Sequence, residues 1–290
     1  MSNVGLVWIR EDFRIENNAA LSYASQNHEN VIAFFIYNNN DYDNKREAQK
    51  WWLSKSLENF KKDLSNYQIN LQIIKGDELD IFSKIKKKDN VSIYWNKIYE
   101  PDVITKGKKI RDIFIKNEIN FKYFKGNILN EFQEVTKNDK TPFKVFTPFW
   151  RTAEKIYLSL PPGKNYVIKK KTQIKSYFKN CITPKNILPK KNWHKKFEKY
   201  WDVSENDSKK RLRDLIENKI KNYGTSRDIP SIEGTSKLSP YIKFGQIHVG
   251  TIWKKCNEIK SKNIGYRKYI NELGWREFSH SLINYFPEFL

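Results

Sequence analysis

Through residue 127 the chain repeats one pattern, a short apolar run followed by an amphipathic stretch. The runs VGLVWI (4–9), VIAFFIY (31–37), LQIIKG (71–76), VSIYWN (91–96) and FKYFKGN (121–127) read as strands. Helical spacing fills the gaps near 17–27, 46–67, 78–88 and 101–119. Four strand–helix repeats closed by a fifth strand predict an α/β fold, a doubly wound five-stranded parallel sheet covered on both faces. No GxGxxG follows the first strand, so a standard NAD site is disfavoured.

The periodicity then dissolves. Pro142, Pro148, Pro161, Pro162, Pro184 and Pro189 punctuate the next stretch, which also holds the basic run VIKKKTQIK (167–175). This predicts a long connector draped over the surface, with one short helix near 147–158. Helical patterning returns over 204–224, 239–259 and from Tyr266, with no strand signal. Three parts follow: an α/β domain over 1–130, a connector over 131–200, and an all-α region over 201–290.

Composition narrows the function classes. With 39% apolar and 15% aromatic residues among 290, most of the chain can bury a core. The formal charge of +21 favours polyanions such as DNA. Lys, Asn and Ile are abundant throughout, so charge alone is weak support. Cys181 and Cys256 form no CxxC, and His28, His194, His248 and His280 are isolated, which disfavours a disulfide framework or a metal centre. No signal peptide precedes VGLVWI, and the longest apolar run is far too short for a bilayer. The expectation is a reduced, cytoplasmic, monomeric protein with no membrane partner.

Two segments can carry chemistry. In RDIPSIEGTSKLSPYIKFG (227–245), Ser239 and Pro240 read as N-cap and first residue of a helix. Thr235 and Ser236 set two hydroxyls and their amides beside it, a combination that can hold phosphate oxygens, and Tyr223 can add a phenol. Capping and turning alone are the commoner use of such residues. In YINELGWREFSHSLINYFPEFL (269–290), Tyr269, Glu272, Trp275 and Arg276 fall at helical spacing on one expected stripe. Glu272 precedes Arg276 by four residues, the favourable order for an ion pair worth about 0.3 kcal/mol. Gly274 costs the helix roughly 1 kcal/mol, which either room for a flat ligand or close helix packing would explain. No Ser-His-Asp set, P-loop, HExxH or catalytic carboxylate pair stands out, so a cofactor is expected to supply any reaction.

Taken together, the motifs resemble the photolyase/cryptochrome family, and most of all the bacterial cyclobutane pyrimidine dimer photolyases. LVWIREDFRIENNAAL (6–21) is similar to the family's LVWFRxDLRxxDNxAL, departing at Ile9, Phe13 and Asn17. REAQKWWLSKSLENF (46–60), IYEPDV (98–103), KVFTPFWR (144–151) and the two segments above resemble further family landmarks in the family's order. The resemblance runs over essentially the whole chain.

It implies that Tyr223, Thr235, Ser236, Lys237, Leu238 and Ser239 hold the phosphates and ribityl region of FAD. Lys237 replaces the commoner Arg, keeping charge without the planar fork. Tyr269 stands where a Trp often lines the flavin pocket. Glu272 stands for the carboxyl group that hydrogen-bonds a pyrimidine dimer and stabilises its radical anion, and Trp275 for the aromatic against which the flipped dimer packs. Arg276 and Arg227 match basic residues near flavin, lesion or DNA phosphate. The pattern's His falls at Ser281. The implied activity is light-driven repair of cyclobutane dimers in damaged DNA by electron donation from reduced FAD, with the lesion flipped out of the stack. An antenna chromophore is usual in the amino-terminal domain; the folate-binding Asn-Glu pair of some members is not evident where Pro101-Asp102-Val103 follows, and methenyltetrahydrofolate, a deazaflavin or no antenna all stay open.

Family members continue beyond the FPEFL at this carboxyl end. The resemblance therefore implies an incomplete flavin domain, and a chain that is inactive by itself. A cryptochrome-type photoreceptor and a fragment that merely binds nucleic acid are the alternatives. Glu272 and Trp275 together favour repair over signalling.

Overall fold

The computed structural model of the protein describes residues 4–38, 47–159, 166–173, 175–259 and 262–289. Arg46, at the start of an expected helix, Pro161, Pro162 and Ile174 of the expected connector, and Leu290 lie outside them. Five parallel strands, β1 (Val4–Ile9), β2 (Asn30–Tyr37), β3 (Asn70–Lys75), β4 (Val91–Asn96) and β5 (Asn120–Phe124), form one sheet in the order β3-β2-β1-β4-β5. Val4 pairs with Asn30 on one side and Val91 on the other. The strand order reverses between β1 and β4, which opens a crevice at their carboxyl ends.

Strand side chains alternate between two cores. Val7 and Ile9 of β1, with Val31, Ala33 and Phe35 of β2, face helices α1 (Ala19–Asn27) and α2 (Glu47–Ser65). Leu6 and Trp8, with Ile32, Phe34 and Ile36, face α3 (Glu78–Ser83) and α4 (Pro101–Lys116). Both faces are covered, which is why these runs read as unbroken apolar stretches. Burying a side chain such as Phe34 stabilises the fold by about 2–3 kcal/mol.

Helix ends follow local signals here. Asn18 caps α1 by accepting from the Leu21 amide, and Asp77 caps α3 by accepting from Leu79 and Asp80. The second run of expected helix 78–88 is a separate 3-10 turn at Lys87–Asp89, closed by Asn90 at φ 50°. Strand β5 is shorter than expected. It stops at Phe124, and Gly126 just beyond lies so close to Lys97 that a Cβ there would stand 1.9 Å from its carbonyl oxygen.

The connector is less superficial than its sequence suggests. Helix α5 (Phe146–Ser159) buries Phe149, Trp150, Ala153 and Tyr157. Beyond it, the chain follows the β3 edge: Ile182 donates to the Ile73 carbonyl at 2.8 Å, and Gln72 accepts from the Tyr177 and Phe178 amides. Covering an exposed strand edge in this way keeps it from pairing with other chains.

The expected helices 204–224 and 239–259 are both interrupted. Helix α6 (Glu205–Asp214), capped by Ser204, passes through a π-turn and a 3-10 turn into α7 (Tyr223–Ser226). Helix α8 (Ser239–Lys243) ends at Gly245, which adopts φ +69° and lies against the β1–α1 loop. Helix α9 (Val249–Asn257) then starts afresh, and α10 (Ile264–Tyr285) packs on α5 and α7. Ser239 is the first residue of α8 and makes no capping hydrogen bond, so the expected cap at that position is not formed.

The helical region is stitched to the sheet by buried polar contacts. Arg14 donates to the Gly245 carbonyl at 2.9 Å, and Glu205 accepts from the Ile15 and Glu16 amides. Trp52 of α2 donates to the Gln246 side chain at 3.0 Å and packs edge-on against Tyr241 and Trp201.

Candidate functional site

A hollow of about 610 Å³ lies where the sheet's reversal point meets the helical region. One wall is the turn Thr235–Ser239 leading into α8. A second carries Tyr223, Tyr269, Glu272, Leu273 and Arg276. The third comes from the α/β region, through Asp12, Arg14, Asn96 and Tyr99. The hydroxyl-rich turn and the α10 carboxylate therefore face one space, although about 36 residues of chain separate them.

The turn is shaped by local bonding. The Ser236 hydroxyl accepts from the Leu238 amide at 3.3 Å, and Lys237 takes a left-handed φ of 53°. The Lys237 ammonium pairs with Glu233. Gly234 allows close approach, since a Cβ there would stand 2.2 Å from the Ser226 carbonyl oxygen. Tyr223 and Tyr269 meet edge to face at 5.1 Å. Burial raises the Tyr269 phenol well above its ordinary value, and the Ser236 hydroxyl works in the opposite direction.

Along α10, the cavity-facing stripe is Tyr269, Glu272, Leu273, Arg276 and His280. Trp275 is off it. Its ring is 47% exposed and stacks face to face on Phe146 at 3.8 Å, with 8° between planes. The expected Glu272–Arg276 ion pair is absent. Glu272 pairs instead with Arg227, whose guanidinium also lies 5.5 Å over the Tyr223 ring. Arg276 binds the Glu277 carboxylate and the Asn127 carbonyl, both at 2.7 Å. Glu277 is buried and held by the Leu129 amide, whereas an exposed i,i+4 pair contributes only tenths of a kcal/mol. Gly274 is explained by packing: a Cβ there would stand 2.6 Å from the Trp150 indole.

Several residues at the site escaped the sequence. Asn96 donates to the Asp12 carboxylate at 2.7 Å and to Asn18 at 2.9 Å, tying the ends of β1 and β4 together under the hollow. Lys243 bridges Glu11 and Glu100 at 2.6 and 2.7 Å across the two regions. Glu277 is buried, its pKa raised by desolvation against the pull of Arg276, and it accepts from the Leu129 amide. His280 borders the hollow with its pKa lowered to about 4 by burial, while Ser281, at the family's His position, points into the core. Polar residues directly after two neighbouring parallel strands were the available signal.

A second hollow of about 900 Å³ lies near the carboxyl ends of β2 and β3, with Lys75, Lys190, Lys191, Tyr37, Trp193 and the ion pair Lys50–Glu47 on its walls. Among the described residues no group of three or more His, Cys, Asp or Glu could hold a metal ion. No helix among them is long and apolar enough to cross a membrane.

The DNA photolyase family pattern matches residues 5–166. The deoxyribodipyrimidine photo-lyase of Agrobacterium fabrum is 28% identical over 292 residues, which span 98% of this chain and 60% of that protein. Cryptochrome-1 of Arabidopsis thaliana is 23% identical over 93% of this chain and 40% of its own length. A crystal structure of a bacterial class III photolyase from Agrobacterium tumefaciens superposes with a TM-score of 0.86 at 26% identity, covering 99% of this chain and 60% of that one. An archaeal photolyase from Sulfolobus tokodaii, described with two FAD molecules, shares the fold at a TM-score of 0.74 and 21% identity, over 98% and 60% of the two chains. The chain belongs to the DNA photolyase family. It spans about 60% of the length of the photolyase relatives it matches.

Proposed function

We propose that this chain is the flavin- and lesion-contacting portion of a deoxyribodipyrimidine photo-lyase, which repairs cyclobutane pyrimidine dimers in DNA in light. The carrying observation is the single hollow that Thr235, Ser236 and Glu272 share. Its volume falls within the roughly 300–1,000 Å³ usual for ligand pockets. Its walls offer part of what FAD requires: hydroxyls and amides of the Thr235–Ser239 turn for phosphate oxygens, and Tyr223, Tyr269, Leu238 and Leu273 as apolar and aromatic faces. Reduced FAD, when bound, supplies light absorption and the electron that splits the dimer.

The protein's own part is positional. Thr235, Ser236 and Ser239 orient the phosphate end, and Lys237 and Arg276 add positive charge. The Glu272 carboxyl group, at the cavity edge, offers oxygens to the hydrogen-bonding edge of a flipped base, and Trp275 offers a flat apolar surface just outside. Arg227 lies beside Glu272, where a DNA phosphate would pass. The lysine-lined second hollow suits an anionic antenna, either the glutamyl tail of methenyltetrahydrofolate or the phosphate of a deazaflavin.

Flavin retention and dimer repair provide the test. The 290-residue protein, passed through gel filtration with FAD, is expected to carry visible flavin absorption and to bind dimer-containing DNA more tightly than undamaged DNA. Glu272→Ala lowers repair by the complete photolyase at least tenfold with flavin content unchanged. Unchanged repair by that variant removes the lesion role from Glu272, and equal affinity for damaged and undamaged DNA favours the signalling alternative.

A further inference from the structure

We propose that Phe146, from the connector helix α5, is a positioning residue that fixes the ring plane of Trp275 for stacking against a base. This rests on the reading of Trp275 as a lesion contact. Trp275 is 47% exposed, yet one of its faces is covered by Phe146 at 3.8 Å and 8°. The exposed area therefore belongs to the opposite face and the edges.

Behind Phe146 the support continues inward. Its ring is nearly parallel to Trp150, 11° between planes at 6.3 Å, and meets Phe278 edge-on at 5.9 Å. Trp150 is buried, donates to Asn271 at 3.0 Å, and presses on the backbone of α10 at Gly274. Trp150, Phe146 and Trp275 thus lie in near-parallel planes, the first buried and the last exposed. Aromatic pairs left to themselves favour offset or edge-to-face contacts over a close sandwich. This packing holds Trp275 in an orientation that ring–ring preference would not select.

An unsupported surface tryptophan samples several rotamers and loses that freedom when a base stacks on it. A ring already held flat loses little, so binding is stronger for the same contact area. Neighbouring Glu272 sits one helical turn away on α10, which puts a fixed hydrogen-bond acceptor and a fixed π-surface on adjacent faces. Together they can engage the edge and the face of one flipped base. Stacking is tolerant of base identity, so selectivity for a lesion comes from holding both elements at one spacing.

The test compares wild type, Phe146→Ala, Phe146→Tyr, Trp275→Ala and the Phe146→Ala/Trp275→Ala double variant of the 290-residue protein. Affinities for a duplex with one thymine dimer and for the same undamaged duplex are read by fluorescence anisotropy. Phe146→Ala is expected to reduce the preference for the dimer about fivefold, on the scale of freezing one side chain. Phe146→Tyr restores the preference, and Phe146→Ala adds nothing once Trp275 is gone. The near-ultraviolet circular dichroism contributed by Trp275, taken as wild type minus Trp275→Phe, collapses in the Phe146→Ala background. An unchanged dichroism contribution, or additive effects in the double variant, overturns the positioning role. A Trp275→Ala variant that keeps full dimer preference defeats the lesion reading itself, independently of Phe146.

Discussion

Gly107 and Gly245 show how differently the two regions of this molecule are specified. Gly107 lies within α4, and a Cβ there would meet only the tip of Arg111, 3.7 Å away. Gly245 sits at φ +69°, and a Cβ there would stand 1.9 Å from the Glu11 carbonyl oxygen. In the sheet region, residue patterns set most elements, and Asn18 and Asp77 cap α1 and α3. In the helical region, α8 stops beside Gly245, which lies against the β1–α1 loop, and the turn before α7 packs on α10, so these breaks cannot be read without their partners.

Substitutions can break or sharpen that contrast. Trp52→Ala carries the largest expected effect, about 3–5 kcal/mol in urea unfolding. Trp52 is buried on α2 but packs on Tyr241 and Trp201, so the helical region should loosen with it. A loss confined to the sheet region, seen by hydrogen exchange, would mean the two regions are not coupled through this residue. Gly245→Ala follows, with a loss of about 3 kcal/mol from backbone strain and the clash with Glu11, read as a lowered melting temperature.

Next is a pH effect at His248. This ring accepts from the Gly250 amide at 3.0 Å, capping α9, and approaches the Gly126 carbonyl at 3.1 Å. Burial lowers its pKa to about 3, so the unfolded chain binds a proton, near pH 6.5, that the folded chain refuses. Stability is therefore present above pH 6.5 and declines as pH falls towards 3, by about 2 kcal/mol at pH 5. His248→Asn should remove about half of the pH dependence in denaturant titrations, leaving the comparable share due to His280, whose pKa is lowered to about 4. Smallest is Gly107→Ala, expected to stabilise by about 0.5–1 kcal/mol, because α4 tolerates a methyl there. Destabilisation by that change would place α4 under the same tertiary control as α8.

The same contrast explains what the sequence made legible. Strands β1 to β4 were visible because each is buried on both faces, and α1 because its apolar residues recur at helical spacing. The break at Gly245 was not, since nothing in SPYIKFGQI announces that the Glu11 backbone will lie against it. Thr235, Ser236 and Glu272 were legible as chemistry through their motifs, but their shared hollow has a wall of Asp12 and Asn96 from distant strands. Arg276 was assigned to Glu272 by spacing alone. The buried Glu277 carboxylate and Asn127 carbonyl take it instead, a competition decided in three dimensions. Trp275 fell on the expected stripe only because its angular offset from Glu272, roughly 60° on a helical wheel, is too small to judge without the cavity.

The central claim is that the Thr235–Ser239 turn and α10 enclose one flavin-binding space. Titrating FAD into the 290-residue protein, with flavin fluorescence as the signal, tests it directly when wild type is compared with Ser236→Trp, which fills the hollow, and Tyr123→Ala on β5, which does not line it. Saturable binding by wild type and Tyr123→Ala that is abolished in Ser236→Trp is the predicted result. Binding that survives Ser236→Trp unchanged, or none by any of the three, contradicts it.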